Sequence, residues 1–236
     1  MGIESLRYLG LAGVKWELND APNIRMDEIS SNQTARDESD KIIATAPVAV
    51  PAAAPVNANS AAANATKAAT AAVDVKALYD AIAAFSHPLK MFAKNTVPPH
   101  FSRDNLLVIT DAPSSDDEES GRILSGAPGE LFDKMLEAIN LSRDNIAICP
   151  LVFWRPPGGR TPTDEELAIA RPFVLRMIEL SQPRAILTLG TLAAGQSLAI
   201  SRQSLVVSIP HPNYLLLKPD SKRAAWEELQ KLKNNL

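Results

Sequence analysis

Four short apolar runs, each leading into a helical pattern, constrain this chain more than any other feature. The runs are NLLVIT (105–110), NIAICPLVF (145–153), RAILTLG (184–190) and SLVVSI (204–209). They are continuous rather than alternating, and NLLVIT and SLVVSI are rich in β-branched residues, which suits strands buried on both faces. Between them lie amphipathic GELFDKMLEAI (129–139), DEELAIARPFVLRMIEL (164–180) and a short TLAAGQSLAI, and SKRAAWEELQKLKNN closes the chain. Thr163, with Glu166 three residues on, writes a capping box for the second of these helices. Four strand–helix alternations predict the α/β class: a three-layer α/β/α sandwich around a central four-stranded parallel sheet.

In such sheets ligands bind at the carboxyl ends of the strands, which singles out three loops. TDAPSSDDEESGR (110–122) follows the first strand and places Asp111 at its end and Asp117 in an acidic stretch. PLVFWRPPGGR (150–160) leaves the second, and PHPNYLLLKP (210–219) leaves the fourth with His211 between two prolines. A histidine there is placed for electrostatic or acid–base work. A solvated turn with a helix cap accounts for the acids equally well, and a structural role accounts for His211 about as readily. The third strand opens at Gly190-Thr191 onto a helix N-terminus, whose free amides suit a phosphate.

Charge narrows the partners little. The net charge is −3, yet residues 141–236 hold twelve bases against eight acids, while 111–137 hold eight acids against two bases. A basic half suits phosphate, and an ordinary solvated surface explains it as well. The lone cysteine, Cys149, lies in an apolar run, so neither an internal disulfide nor a Cys-based metal site forms, and a buried structural thiol is the reading. No stretch reaches transmembrane length and the N-terminus lacks a signal's apolar core. A soluble, monomeric protein of the cytoplasm is expected.

Upstream, residues 1–19 contain a candidate amphipathic helix. Residues 20–73 read as a disordered linker: 44–73 hold 15 alanines, with Pro47, Pro51 and Pro55 among them. The globular domain is expected over 74–236.

The motifs in that domain resemble the uracil-DNA glycosylase superfamily, and its type-4 branch in particular. Thr110-Asp111-Ala112-Pro113-Ser114 stands where the branch carries Gly-Glu-Ala-Pro-Gly. Gly121 to Gly126 is similar to its Gly-Arg-Pro-Phe-Val-Gly, and Glu130-Leu131-Phe132-Asp133 to its Gln-Leu-Leu-Asp. Cys149 to Pro157 resembles a strand ending in Arg-Pro-Pro, Glu166 to Phe173 a helix ending in Cys-Arg-Pro-Phe, and His211 to Leu216 a final His-Pro-Ser-Tyr-Leu-Leu.

The resemblance implies DNA as partner, single- or double-stranded, with a base flipped into a tight pocket. It implies catalytic roles for Asp111, Asp117 and His211. It implies a base pocket at Ala112, Pro113, Leu124 and Pro150. Contact with the DNA backbone falls to Arg155, Arg160, Asn213, Lys218 and Arg223. The activity implied is hydrolysis of the N-glycosidic bond of uracil or another deaminated base, in base excision repair. Pro150 replaces the family's base-reading Asn, and Leu124 its stacking Phe. The type-4 iron–sulfur cluster needs four cysteines, whereas His87, Trp154 and Ala170 stand at three of those positions, so no cofactor and no metal are expected. A catalytically degenerate homologue that binds DNA without excising bases is the alternative, and a pocket remodelled for a nucleotide is a third reading.

Overall fold

The four apolar runs become the four strands. A computed structural model describes residues 58–102, 105–197 and 204–236. The strands are β1 (Leu106–Thr110), β2 (Ala147–Pro150), β3 (Ala185–Leu189) and β4 (Leu205–Ile209), all parallel, in the order β2-β1-β3-β4. Helices α1 (Ala58–Ala71), α2 (Val75–Ala84), α5 (Asp164–Ser181) and α6 (Thr191–Ser197) contribute to the apolar layer on one face, with Leu107, Ile109, Cys149 and Ile186 of the sheet. Helices α4 (Gly126–Ala138), α7 (Pro212–Leu217) and α8 (Lys222–Lys233) cover the other, against Val108, Ile148, Leu187 and Val207. Successive strand residues alternate between the two layers, so continuous apolar strands and a three-layer sandwich are one fact. Cys149 is buried within this packing, and burial pushes its thiol far above the ordinary range.

The edge strand β2 shows how Pro150 is accommodated. Ile148 exchanges two backbone hydrogen bonds of 2.8 Å with His100 on the outer edge, while Leu151 N–H donates inward to Thr110 O at 2.9 Å. Residue 150 therefore turns its missing donor outward, where an edge strand tolerates proline. The pairing Thr110 with Pro150 keeps the strand in register to its end.

The linker expected over 20–73 needs correction at its C-terminal end. Residues 58–71 form α1, which packs against α5. Ala61, Ala65, Ala69 and Ala72 are buried in the core, on one face at helical spacing. Methyl side chains let the two helices approach closely. The three prolines that argued against a packed helix all precede Ala58. Arg176 Nε donates to Ala72 O at 2.9 Å and satisfies a terminal carbonyl. The ordered domain therefore begins upstream of residue 74; the N-terminal helix 1–19 and linker residues 20–57 lie outside the described residues. No helix among the described residues is long and apolar enough to cross a membrane.

Candidate active site

The loops after β1 and β4 bring the three expected catalytic residues to one end of the sheet, each held by backbone groups. His211 caps α7, with Pro212 fixing the first helical position. Its Nδ1 accepts from Asn213 N–H at 3.2 Å. In the neutral ring the proton therefore sits on Nε2, which makes no hydrogen bond among the described residues. Burial lowers the pKa of His211, and the charge of Asp117 opposes that shift. The ring is thus held neutral, with one N–H available to a ligand.

Asp117 is buried, and both of its oxygens are occupied. Oδ2 accepts from Ser114 N–H at 2.9 Å and Oδ1 from Ser125 N–H at 2.6 Å. Ser114 in turn caps α3 (Ser115–Ser120), completing a capping box. The acidic stretch is a short helix, and this acid ties its start to the turn before α4. Ala112 is half-buried and Pro113 buried in the same loop.

Asp111 fills the helix end expected to hold a phosphate. Its Oδ1 accepts from Ala193 N–H at 3.0 Å, capping α6 with the chain's own carboxylate. Gly190 permits this approach: a Cβ there would stand 2.6 Å from Asp111 Oδ2. Burial raises the pKa of Asp111 and the Ala193 amide opposes it.

The two positions that depart from the resembled base-pocket motifs are buried. Pro150 ends β2, and Leu124 is 3% exposed in the left-handed region, at φ 56°. In this position Leu124 presents no stacking surface to solvent.

The five backbone-contact candidates divide. Arg160 is clamped to Glu166 by two hydrogen bonds of 2.6 and 2.8 Å, so its guanidinium faces its own chain. Arg223 pairs loosely with Glu227 at 3.4 Å on exposed α8. Lys218 and Asn213 are exposed at the two ends of α7. Arg155 is half-buried beside Gly159, and its Nε is buried without a partner among the described residues.

Sequence reasoning missed the apolar tip beside His211. Tyr214 and Leu217 are 49% and 71% exposed, and Leu216 is exposed between them. The signal was present: Tyr214 to Leu217 is an unbroken apolar run, and a six-residue helix buries only one side of such a run. Arg143 and Ser125, which brace the turn at Leu124, were missed as well.

The positions implied for an iron–sulfur cluster do come together, but as packed core. His87 and Trp154 stack with centroids 4.6 Å apart and planes 13° apart, and Ala170 is buried in the same core as Trp154. His87 Nδ1 accepts from Leu89 N–H at 3.1 Å and its Nε2 donates to Glu166 O at 3.0 Å. Trp154 Nε1 donates to Thr96 Oγ1 at 3.0 Å. An indole and a methyl offer no ligand atom, and both imidazole nitrogens are engaged, so these residues do not fit a cluster. No group of three or more His, Cys, Asp or Glu suited to a metal occurs among the described residues.

Fold and site together define a three-layer parallel α/β protein with its polar site at the strand ends. Residues 98–230 match the family model described as the uracil DNA glycosylase superfamily, and the chain belongs to that superfamily. It is 32% identical over 108 residues to a type-4 uracil-DNA glycosylase of Pyrobaculum aerophilum, covering 45% of this chain and 55% of that protein. It is 29% identical over 165 residues to one of Thermotoga maritima, covering 62% and 86%. A third, from Saccharolobus solfataricus, is 35% identical over 101 residues, covering 42% and 47%. The match thus spans about half the length of the Pyrobaculum and Saccharolobus proteins and most of the Thermotoga protein.

Proposed function

We propose that this protein is a DNA glycosylase that hydrolyses the N-glycosidic bond of uracil, or of another deaminated base, in base excision repair. The observation that carries this reading is His211: a neutral ring with Nδ1 occupied and Nε2–H free at a strand end. Cleavage of the bond from C1′ leaves its electron pair on the base, and the developing charge on the base carbonyl takes a hydrogen bond from Nε2–H. Water adds its oxygen to C1′ and its proton ends on the base or solvent. Electrostatic stabilisation of this kind supplies the larger share of such catalysis. Asp111 is the better candidate to orient water, since one of its oxygens is committed where Asp117 has both committed.

DNA as partner is supported by Lys218 and Asn213 bordering an exposed apolar tip. Apolar side chains wedge between bases and cations hold the flanking phosphates. Lys218, Arg155 and Arg223 are the proposed phosphate contacts, and Arg160 is reassigned to Glu166. The proposed enzyme works without a metal or cluster, as the His87–Trp154 stack supports. Iron analysis of the purified protein tests this, and stoichiometric iron with acid-labile sulfide would refute it.

The second reading, a DNA-binding homologue without excision, is favoured by Pro150 and buried Leu124. Neither offers a hydrogen bond or an aromatic face to a pyrimidine. Incubation with uracil-containing single- and double-stranded oligonucleotides, followed by alkaline cleavage of abasic sites, decides between them. Strand breaks at uracil are expected; intact strands bound with measurable affinity would support the second reading.

A further inference from the structure

Leu124 is a branched residue in a left-handed backbone conformation, and such conformations persist only where the surroundings impose them. Two groups hold this one, and a third leaves room for it. Arg143, in the short turn before β2, crosses to the 121–125 loop, where its Nη1 donates to Ile123 O at 2.8 Å and its Nη2 to Leu124 O. Its Nε is held by Asp133 of α4, and the guanidinium lies 5.8 Å over the Phe132 ring. Asp117 is the second hold: its Oδ1 takes the next amide, Ser125 N–H, at 2.6 Å. Gly129 leaves room for the turn, because a Cβ there would overlap Leu124 O. The Arg143 side chain is only 11% exposed and spends all three nitrogens on this turn and its anchor.

We propose that Arg143 is a positioning residue for the active site: it holds the left-handed turn at Leu124 so that Ser125 N–H meets Asp117. This rests on the glycosylase reading. An arginine is required because only its planar fork reaches two carbonyls and a carboxylate at once. Release of the turn frees one Asp117 oxygen and changes the charge environment of His211, although Arg143 touches neither a base nor the DNA.

The test compares Arg143→Met and the milder Arg143→Lys with wild type, below the melting temperature of each. The single-turnover rate of uracil excision is expected to fall roughly 10–100-fold in both, the cost of a small misplacement at a reacting centre. Affinity for DNA should change less than about twofold, since no phosphate contact is removed. Hydrogen exchange at the Ser125 amide should quicken in step with the loss of rate. A purely structural role would lower the melting temperature and leave the rate of the folded enzyme unchanged, and that result overturns the proposal. Unchanged exchange at Ser125 overturns it too, with or without excision. Wild type inert toward uracil refutes the glycosylase reading instead, and Ser125 exchange then decides the role of Arg143 alone.

Discussion

Two His-Pro steps in this chain are built alike and end differently. His87 and His211 both cap a short helix with proline in its first turn, and each accepts the amide two residues on through Nδ1. Both rings therefore carry their neutral proton on Nε2. At His87 that proton goes to Glu166 O, under a stacked indole, in full burial. At His211 it meets no partner among the described residues, at the carboxyl end of β4. The local sequence sets the tautomer; the surroundings decide whether the histidine holds the fold or awaits a ligand. Groups around His87 are expected to govern stability, and groups around His211 activity.

Trp154→Ala gives the largest effect. It removes a fully buried side chain that stacks on His87 and meets Phe153 edge-on, and truncations of this kind cost about 3–5 kcal/mol. Denaturant melts measure it, and the rate of excision by the folded fraction should be unchanged. A large loss of rate with intact stability would erase the division between the two regions.

Exchanging the histidines sharpens the contrast. His211→Ala should lower the single-turnover rate by roughly 10²–10³, the effect of one preorganised donor, with little change in melting. His87→Ala should cost about 1–3 kcal/mol of stability, because Glu166 O and Leu89 N–H lose their partner in a buried place, and leave the rate nearly intact. Equal effects on both quantities at both sites would refute the comparison.

The pH dependence follows from a shift of the same sign in both rings. Burial lowers each pKa below 6.5, with Glu166 groups opposing it at His87 and Asp117 at His211. For His87 the unfolded chain binds the proton more readily than the folded one. Its contribution to stability is therefore complete above about pH 6.5 and is lost as pH falls from there through the folded value. His87→Gln should flatten that acid limb in thermal melts. For His211 the neutral donor is the working form, so excision should persist through neutrality and decline only below pH 6.5. An excision rate that rises on acidification through that range would contradict the assignment.

The same physics explains how much could be read from the sequence. The strands were legible because continuous apolar runs have few alternatives, and the Thr163–Glu166 capping box because it is local. Helix α1 was not, since alanine spacing carries no amphipathic signal until α5 is there to receive it. The phosphate site expected at the α6 end and the DNA contact expected of Arg160 were not legible for a related reason. A carboxylate at a strand end looks free until the α6 amide approaches it, and a guanidinium looks free until Glu166, six residues on, turns back through the capping box. Residue type and order nominate candidate site residues; which polar atoms are already spent depends on contacts made across the fold.

The smallest effect separates two cations. Arg160 belongs to the region of His87, because Glu166 accepts the guanidinium with its carboxylate and the imidazole N–H with its carbonyl. Burial pushes the Glu166 carboxyl upward, yet Arg160 and the Thr163 amide outweigh it and the net shift is downward. Glu166 thus stays ionised and keeps its cation at neutral pH. Lys218 belongs to the region of His211: it ends α7, is exposed, and makes no ion pair among the described residues. Each phosphate contact adds about 0.7–0.9 to the slope of log K against log salt. Lys218→Ala should reduce that slope by this amount for uracil-containing and normal DNA alike. Arg160→Ala should leave it unchanged and lower stability instead, since it strands a mostly buried carboxylate. Binding titrations at several salt concentrations measure both, and an equal drop in slope for the two variants would place Arg160 on the DNA-facing surface after all.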